Sequence, residues 1–130
     1  MERTGIHLDF DLCRKIMFRV EEVMAQEGTK GPDKYTFEGY SNELVGSNIR
    51  MLFDRGMITA RERAEFSLRS ETLRYWPTGL TEKGMRFIEN IQNDDLFQEA
   101  VRRANQAQSG ATLRVLERRI QDCKKELVVA

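Results

Sequence analysis

Four arginines crowd one alternating stretch of this chain: Arg61, Arg63, Arg69 and Arg74, interleaved with Glu62, Glu65 and Glu71. A guanidinium pairs with phosphate oxygens through a planar fork, so a row of them is the chemistry of a nucleic-acid backbone contact. Just ahead of the row, Ser47, Asn48 and Arg50 fall together in a helix-patterned segment. Arg can read a guanine edge, Asn can read adenine, and Ser suits a phosphate or a base. On a wheel of about 100° per residue the outer face of that segment is Glu43, Ser47, Arg50 and Asp54, with Asn48 at its boundary. Two acids against one base make that helix face a weaker partner for phosphates than the arginine row.

Catalytic chemistry finds less to work with. His7 and Cys13 could form a base and nucleophile pair, but His7 precedes the first helix and no third group orients it. Asp94 and Asp95 are adjacent carboxylates, which an acidic helix start explains. No glycine loop has the spacing to cradle a phosphate. One histidine and two distant cysteines, Cys13 and Cys123, do not make a zinc site or a redox pair. The sequence therefore reads as no enzyme, with no metal, no cofactor and no evident small-molecule substrate.

The elements that would position these residues are legible from periodicity. Positions 8–27 carry Leu12, Ile16, Met17, Val20, Val23 and Met24 at helical spacing, with Asp9 as a cap and Gly28 as a stop. A Gly/Pro loop follows, then Tyr35-Thr36-Phe37-Glu38, which has the composition of a short third strand. Ser41 caps a second helix whose core face is Val45, Ile49, Leu52 and Phe53, and Gly56 ends it. From Ile58 to Leu68 apolar and polar residues alternate. Residues 69–71 make a hairpin tip, residues 72–76 the return strand, and Pro77 and Gly79 stop the sheet. Thr81 opens a third helix with Met85, Ile88 and Ile91 facing inward, and Asn93-Asp94 breaks it. Leu96, Phe97, Ala100, Val101 and Ala104 mark a fourth helix, and Ser109-Gly110 a second break.

The last segment repeats Leu113, Leu116, Ile120, Cys123 and Leu127 with heptad-like spacing. Leu113, Leu116, Ile120 and Leu127 are thus candidates for a partner-helix or homodimer seam. At about two heptads the stripe is short for a coiled coil, and that shortness favours packing back on its own domain over the partner seam.

Composition bounds the class. The chain has 130 residues, 40% hydrophobic and 32% charged, the balance of one globular domain. No apolar run approaches the ~20 residues that cross a bilayer, and the first residues lack a signal-peptide core, so the expected location is the cytoplasm, away from membrane. Lys plus Arg total 21 and Asp plus Glu total 21. A chain of zero net charge can bind double-stranded DNA only through a local patch offset by acids elsewhere.

Spread over the chain are stretches that resemble a known family. Asp9-Phe10-Asp11-Leu12-Cys13-Arg14-Lys15-Ile16 is similar to an opening Asp-x-Asp-Leu-x-Arg-x-Ile/Leu helix. Gly39-Tyr40-Ser41, then Leu52-Phe53-Asp54-Arg55-Gly56-Met57-Ile58, resembles Gly-Tyr-Ser followed by Leu-Leu-Glu-x-Gly-Leu-Ile. Gly79-Leu80-Thr81-Glu82-Lys83-Gly84-Met85-Arg86-Phe87-Ile88 resembles Gly-Leu-Thr-x-x-Gly-x-x-Phe-Leu, and Asn93-Asp94-Asp95-Leu96-Phe97 an acidic turn followed by an aromatic. These resemble the bacterial and prophage-associated domain-of-unknown-function family 2513. Ser47 and Asn48 depart from it, standing where bulkier residues, often Tyr or His, are expected. The resemblance implies a winged-helix fold and a phage connection, and no activity.

The expectation is an α+β, winged-helix-like domain. Residues 8–92 form its core and residues 93–130 a two-helix C-terminal extension. Two functions fit: a nucleic-acid-binding or regulatory module using Ser47, Asn48, Arg50 and the wing arginines, or a protein-interaction module that pairs with itself or with a host or phage protein.

Overall fold

The computed structural model describes residues 9–26, 34–62, 75–107 and 110–129. Seven elements follow one another in these segments. They are α1 (Phe10–Ala25), α2 (Asn42–Asp54), β1 (Ile58–Glu62), β2 (Tyr75–Leu80), α3 (Glu82–Ile91), α4 (Asp94–Asn105) and α5 (Leu113–Val129). The class is α+β.

Local chemistry sets the helix starts. The Asp9 carboxylate accepts from Leu12 N at the head of α1, and Ser41 Oγ from Leu44 N at the head of α2. Thr81 Oγ1 accepts from Gly84 N before α3. Asn93 Oδ1 accepts from Leu96 N before α4, so the cap expected of Asp94 and Asp95 belongs to the residue ahead of them. Each bond satisfies an amide that the first helical turn leaves without a partner. Gly56 has φ +75°, the left-handed conformation that ends α2 without Cβ strain.

β1 and β2 pair antiparallel as the only sheet among the described residues. Ile58 faces Leu80, Thr59 faces Gly79, and Ala60 faces Pro77, so Thr78 is an extra residue at a bulge. The bulge explains why Pro77 and Gly79, expected to stop the sheet, lie inside it. Pro lacks the ladder N–H, and irregular edges tolerate that. The hairpin tip at 69–71, and strand positions 63–74, lie outside the described residues.

No third strand joins this sheet among the described residues. Tyr35 and Phe37 are buried with Thr36 exposed between them, which is the alternation of a strand. Side chains rather than a ladder hold the segment. Arg19 Nη1 donates to Lys34 O at 2.7 Å, and the Arg19 guanidinium lies 4.9 Å from the Phe37 ring centroid. The turn Tyr40 N to Phe37 O then ends it at Gly39, φ +89°.

One continuous apolar core runs from Leu12, Ile16 and Val20 of α1 through Ile49, Leu52 and Ile88 to Phe97, Leu116 and Ile120. Two inward faces are rotated from expectation. In α2 the buried residues are Val45, Asn48, Ile49 and Leu52, while Phe53 is 44% exposed. In α3 they are Gly84, Phe87, Ile88 and Ile91, while Met85 is 50% exposed. Both are clean i, i+3, i+4, i+7 faces. A polar or glycine residue, Asn48 or Gly84, occupies one seam position in each, which rotates the buried face away from the apolar Phe53 and Met85 expected in it. Gly84 is required there: a Cβ on it would stand 1.9 Å from Met57 O.

Candidate nucleic-acid interface

The outward side of α2 is built by capping at Ser41 and burial of the seam opposite. It presents Glu43, Arg50, Phe53 and Asp54 as exposed residues, with Ser47 half-buried. Ser47 Oγ donates to Leu44 O at 3.0 Å. The Arg50 guanidinium donates to Asp54 Oδ1 at 3.1 Å, one helical turn on. α2 packs against α1 and against both strands of the hairpin. On β1, Arg61 is exposed. Arg63, Arg69 and Arg74, the rest of the arginine row, lie outside the described residues.

Asn48 is corrected by the structure. It sits at the interior seam with zero exposure, not at the edge of the outer face. Its Oδ1 accepts from Asp9 N at 3.0 Å and from the Cys13 thiol at 3.2 Å, and its Nδ2 donates to Leu44 O at 2.9 Å. The side chain therefore clamps the start of α1 onto the middle of α2. Leaving the Asp9 amide without that acceptor would cost about 1–3 kcal/mol, a sufficient reason for a buried amide here. Burial also pushes the Cys13 thiol above its ordinary range, and the nearby Asp9 carboxylate adds to this, so the thiol stays protonated. His7 lies outside the described residues.

The helical stripe of α5 turns inward. Leu113, Leu116 and Ile120 are buried with Cys123 in the chain's own core, and α5 packs chiefly on α4. They are spent on the domain, not offered to a partner. Leu127 falls where side chains are outside the described residues.

Two devices were not anticipated. Arg14, on the rim of α1's apolar stripe, donates from Nε and Nη2 to Ile91 O at 3.1 and 2.8 Å, and from Nη1 to Asp94 Oδ1 at 2.8 Å. Its guanidinium lies 5.2 Å from the Phe18 centroid and 4.8 Å from that of Phe97. It closes the C-terminus of α3 and holds the α3–α4 corner to α1. The signal was present: an arginine one turn from Phe10 and one from Phe18, beside a buried stripe. The second device is Glu117 of α5, which meets Arg55 Nε at 3.0 Å and Lys83 Nζ at 3.4 Å, joining the ends of α2 and α3 to α5. Three elements meet there, so no spacing along the chain reveals it.

A groove of about 380 Å³ runs between α3 and α5, lined among others by Lys83, Arg86, Asn90, Gln121 and Lys124. Lys124 Nζ donates to Asn90 Oδ1 across it at 2.8 Å. No cluster of three or more His, Cys, Asp or Glu side chains suited to a metal occurs among the described residues. No helix among them is long and apolar enough to cross a membrane.

Neither the curated proteins nor the solved structures contain a match to this chain. One family model does match, over residues 7–111, a span that takes in α1 through α4 with the Asn48 clamp and the Arg14 pin. The chain therefore belongs to the family described as hypothetical protein, domain of unknown function 2513.

Proposed function

We propose that this chain is a winged-helix-like module that binds nucleic acid in the cytoplasm and acts by binding, not by catalysis. The prophage association implied by the family resemblance is its expected setting. The observation that carries the reading is the order helix, hairpin, helix, with α2 packed on both strands and Arg61 exposed on the outgoing one. In winged helices that order sets a helix toward the major groove and the hairpin toward the backbone or minor groove. Ser47 and Arg50 lie on the outward half of α2. Arg50 reaches a base edge only by exchanging its Asp54 contact, and an exposed pair of this kind holds by only about 0.5 kcal/mol.

The test is a duplex titration of Arg61→Glu with Arg63→Glu. Each phosphate contact contributes roughly 0.9 to the slope of log affinity against log salt. The expected outcome is weaker binding and a shallower slope by about 2, with the fold intact. Unchanged affinity and slope would remove the wing from the interface.

A second reading, a protein-interaction module, is favoured by one observation. Phe53 at 44% exposure and Met85 at 50% are the large apolar side chains left in solvent among the described residues. Phe53→Ser with Met85→Ser separates the two. Loss of self-association or of a partner, with duplex binding unchanged, selects this reading.

A further inference from the structure

The outward face of α5 carries charge of a different kind from the rest of the molecule. Arg114, Arg118 and Lys125 are exposed, and none has a hydrogen bond or ion pair to any described residue. At about 100° per residue they fall within an arc of about 40°. That arc is centred opposite the buried Leu113, Leu116, Ile120 and Cys123, so it points squarely into solvent. Along the axis, Arg114 to Arg118 spans about 6 Å and Arg114 to Lys125 about 16 Å, at about 1.5 Å per residue.

The acids of α5 do not neutralise this stripe. Glu117 is turned to Arg55 and Lys83, Asp122 to Arg119 at 2.9 Å, and Glu126 to Arg103 at 2.8 Å. Each of these three α5 carboxylates is thus engaged with a cation outside the row. The stripe also adjoins the α3–α5 groove, where Gln121, Lys124 and Arg86 extend the polar surface. Like charges one turn apart, as at Arg114 and Arg118, repel and do nothing for the helix.

We infer that this face of α5 is a second contact surface for the nucleic-acid phosphate backbone, separate from the hairpin. The row is straight, cationic and spaced within a Debye length or two, which suits a regular line of negative charges. An anionic membrane fits less well, because the apolar side of α5 is buried in the core and has nothing to insert. The inference shares its partner class with the proposed function and differs in the surface used. The stripe lies beyond the residues matched by the family model, which end at 111.

The test is fluorescence anisotropy of a labelled random duplex across a salt series, with wild type, the triple variant Arg114→Glu, Arg118→Glu and Lys125→Glu, and the wing pair Arg61→Glu with Arg63→Glu. The triple variant should lose at least about tenfold in affinity at low salt, and its log–log slope should fall by between about 2 and 3. Its melting temperature should hold, since the three side chains are exposed and have no hydrogen bond or ion pair among the described residues. Arg114→Lys with Arg118→Lys should keep most of the binding, because phosphate attraction needs the charge more than the fork. A triple variant that binds like wild type while the wing pair loses binding overturns the inference and leaves the hairpin reading standing. The reverse pattern supports the inference and removes the hairpin. Wild type retained by phosphatidylserine vesicles but indifferent to duplex would also overturn it.

Discussion

α2 and α5 present outward faces of similar length and opposite character. On α2 the exposed cation Arg50 is matched by Asp54 one turn on, with Glu43 and Phe53 alongside. On α5 the exposed cations Arg114, Arg118 and Lys125 have no partner among the described residues, because the neighbouring acids are drawn away to Arg55, Lys83, Arg103 and Arg119. Total charge is zero. Which cations are free depends on pairing across elements, and that decides where an anionic polymer can be held.

The largest expected effect comes from breaking a more fully engaged cation, Arg14 on α1, which sets the paired extreme against which the α5 row is compared. Arg14→Ala removes three hydrogen bonds and two ring contacts from a mostly buried guanidinium. The loss should be about 3 kcal/mol, with a melting temperature lower by on the order of 10 °C. Arg14→Lys should recover little, since an ammonium cannot fork onto Ile91 O and Asp94 together. Calorimetry that finds Arg14→Ala within about 0.5 kcal/mol of wild type would show the pin to be ornamental. By the same logic Arg118→Glu, on the unpaired side, should leave the melting temperature where it was.

Asn48→Ala comes next, at about 2 kcal/mol, because it removes a fully buried side chain and leaves the part-buried Asp9 amide without its acceptor. It sharpens the comparison in a second way. Duplex affinity of the folded variant should match wild type, and a selective loss of binding at full stability would return Asn48 to the interface.

The smallest effect concerns pH. Side-chain hydrogen bonds from Arg102 and Arg103 hold the Glu99 carboxyl down at about 2, against an ordinary 4.5. Arg103 likewise lowers Glu126 on α5. A depressed carboxylate stabilises the fold fully above its unfolded value and loses that contribution as pH falls toward its folded one. The Glu99 pairs within α4 should therefore weaken between about pH 4.5 and about pH 2, and the Glu126–Arg103 link from α5 to α4 should weaken as pH falls below the ordinary carboxylate range. Glu99→Gln should flatten that acid limb and lower stability modestly at neutral pH, where the contribution it removes is fully present. An unaltered limb in circular dichroism would place the acid sensitivity elsewhere.

How much of this was legible follows from what kind of signal each feature leaves. Asp9, Ser41 and Gly56 announce themselves by residue type at a fixed offset from an apolar run, and the structure uses each as expected. The rotated faces of α2 and α3 were hidden because seams were assigned by apolarity alone. Asn48 and Gly84 sit at seam positions for reasons that are not apolar: one supplies an acceptor to a distant amide, the other makes room for the Met57 carbonyl. The third strand expected at residues 35–38 is absent from the sheet because Tyr35 and Phe37 have strand alternation without a strand paired to them among the described residues. Of the proposed interface, the sequence marks Arg50 and Arg61 but not the α5 stripe. Counting charges along α5 gives a mixed helix, and only the pairing of Glu117 and Glu126 with other helices leaves a cationic row.

The account turns on whether a chain of zero net charge holds nucleic acid through local cationic surfaces. Anisotropy of a labelled random duplex, titrated with wild-type protein at several salt concentrations, tests this most directly. The predicted result is a dissociation constant between about 10⁻⁴ and 10⁻⁶ M that weakens steeply as salt rises. A flat trace at low salt and about 100 μM protein, inside that range, would contradict it.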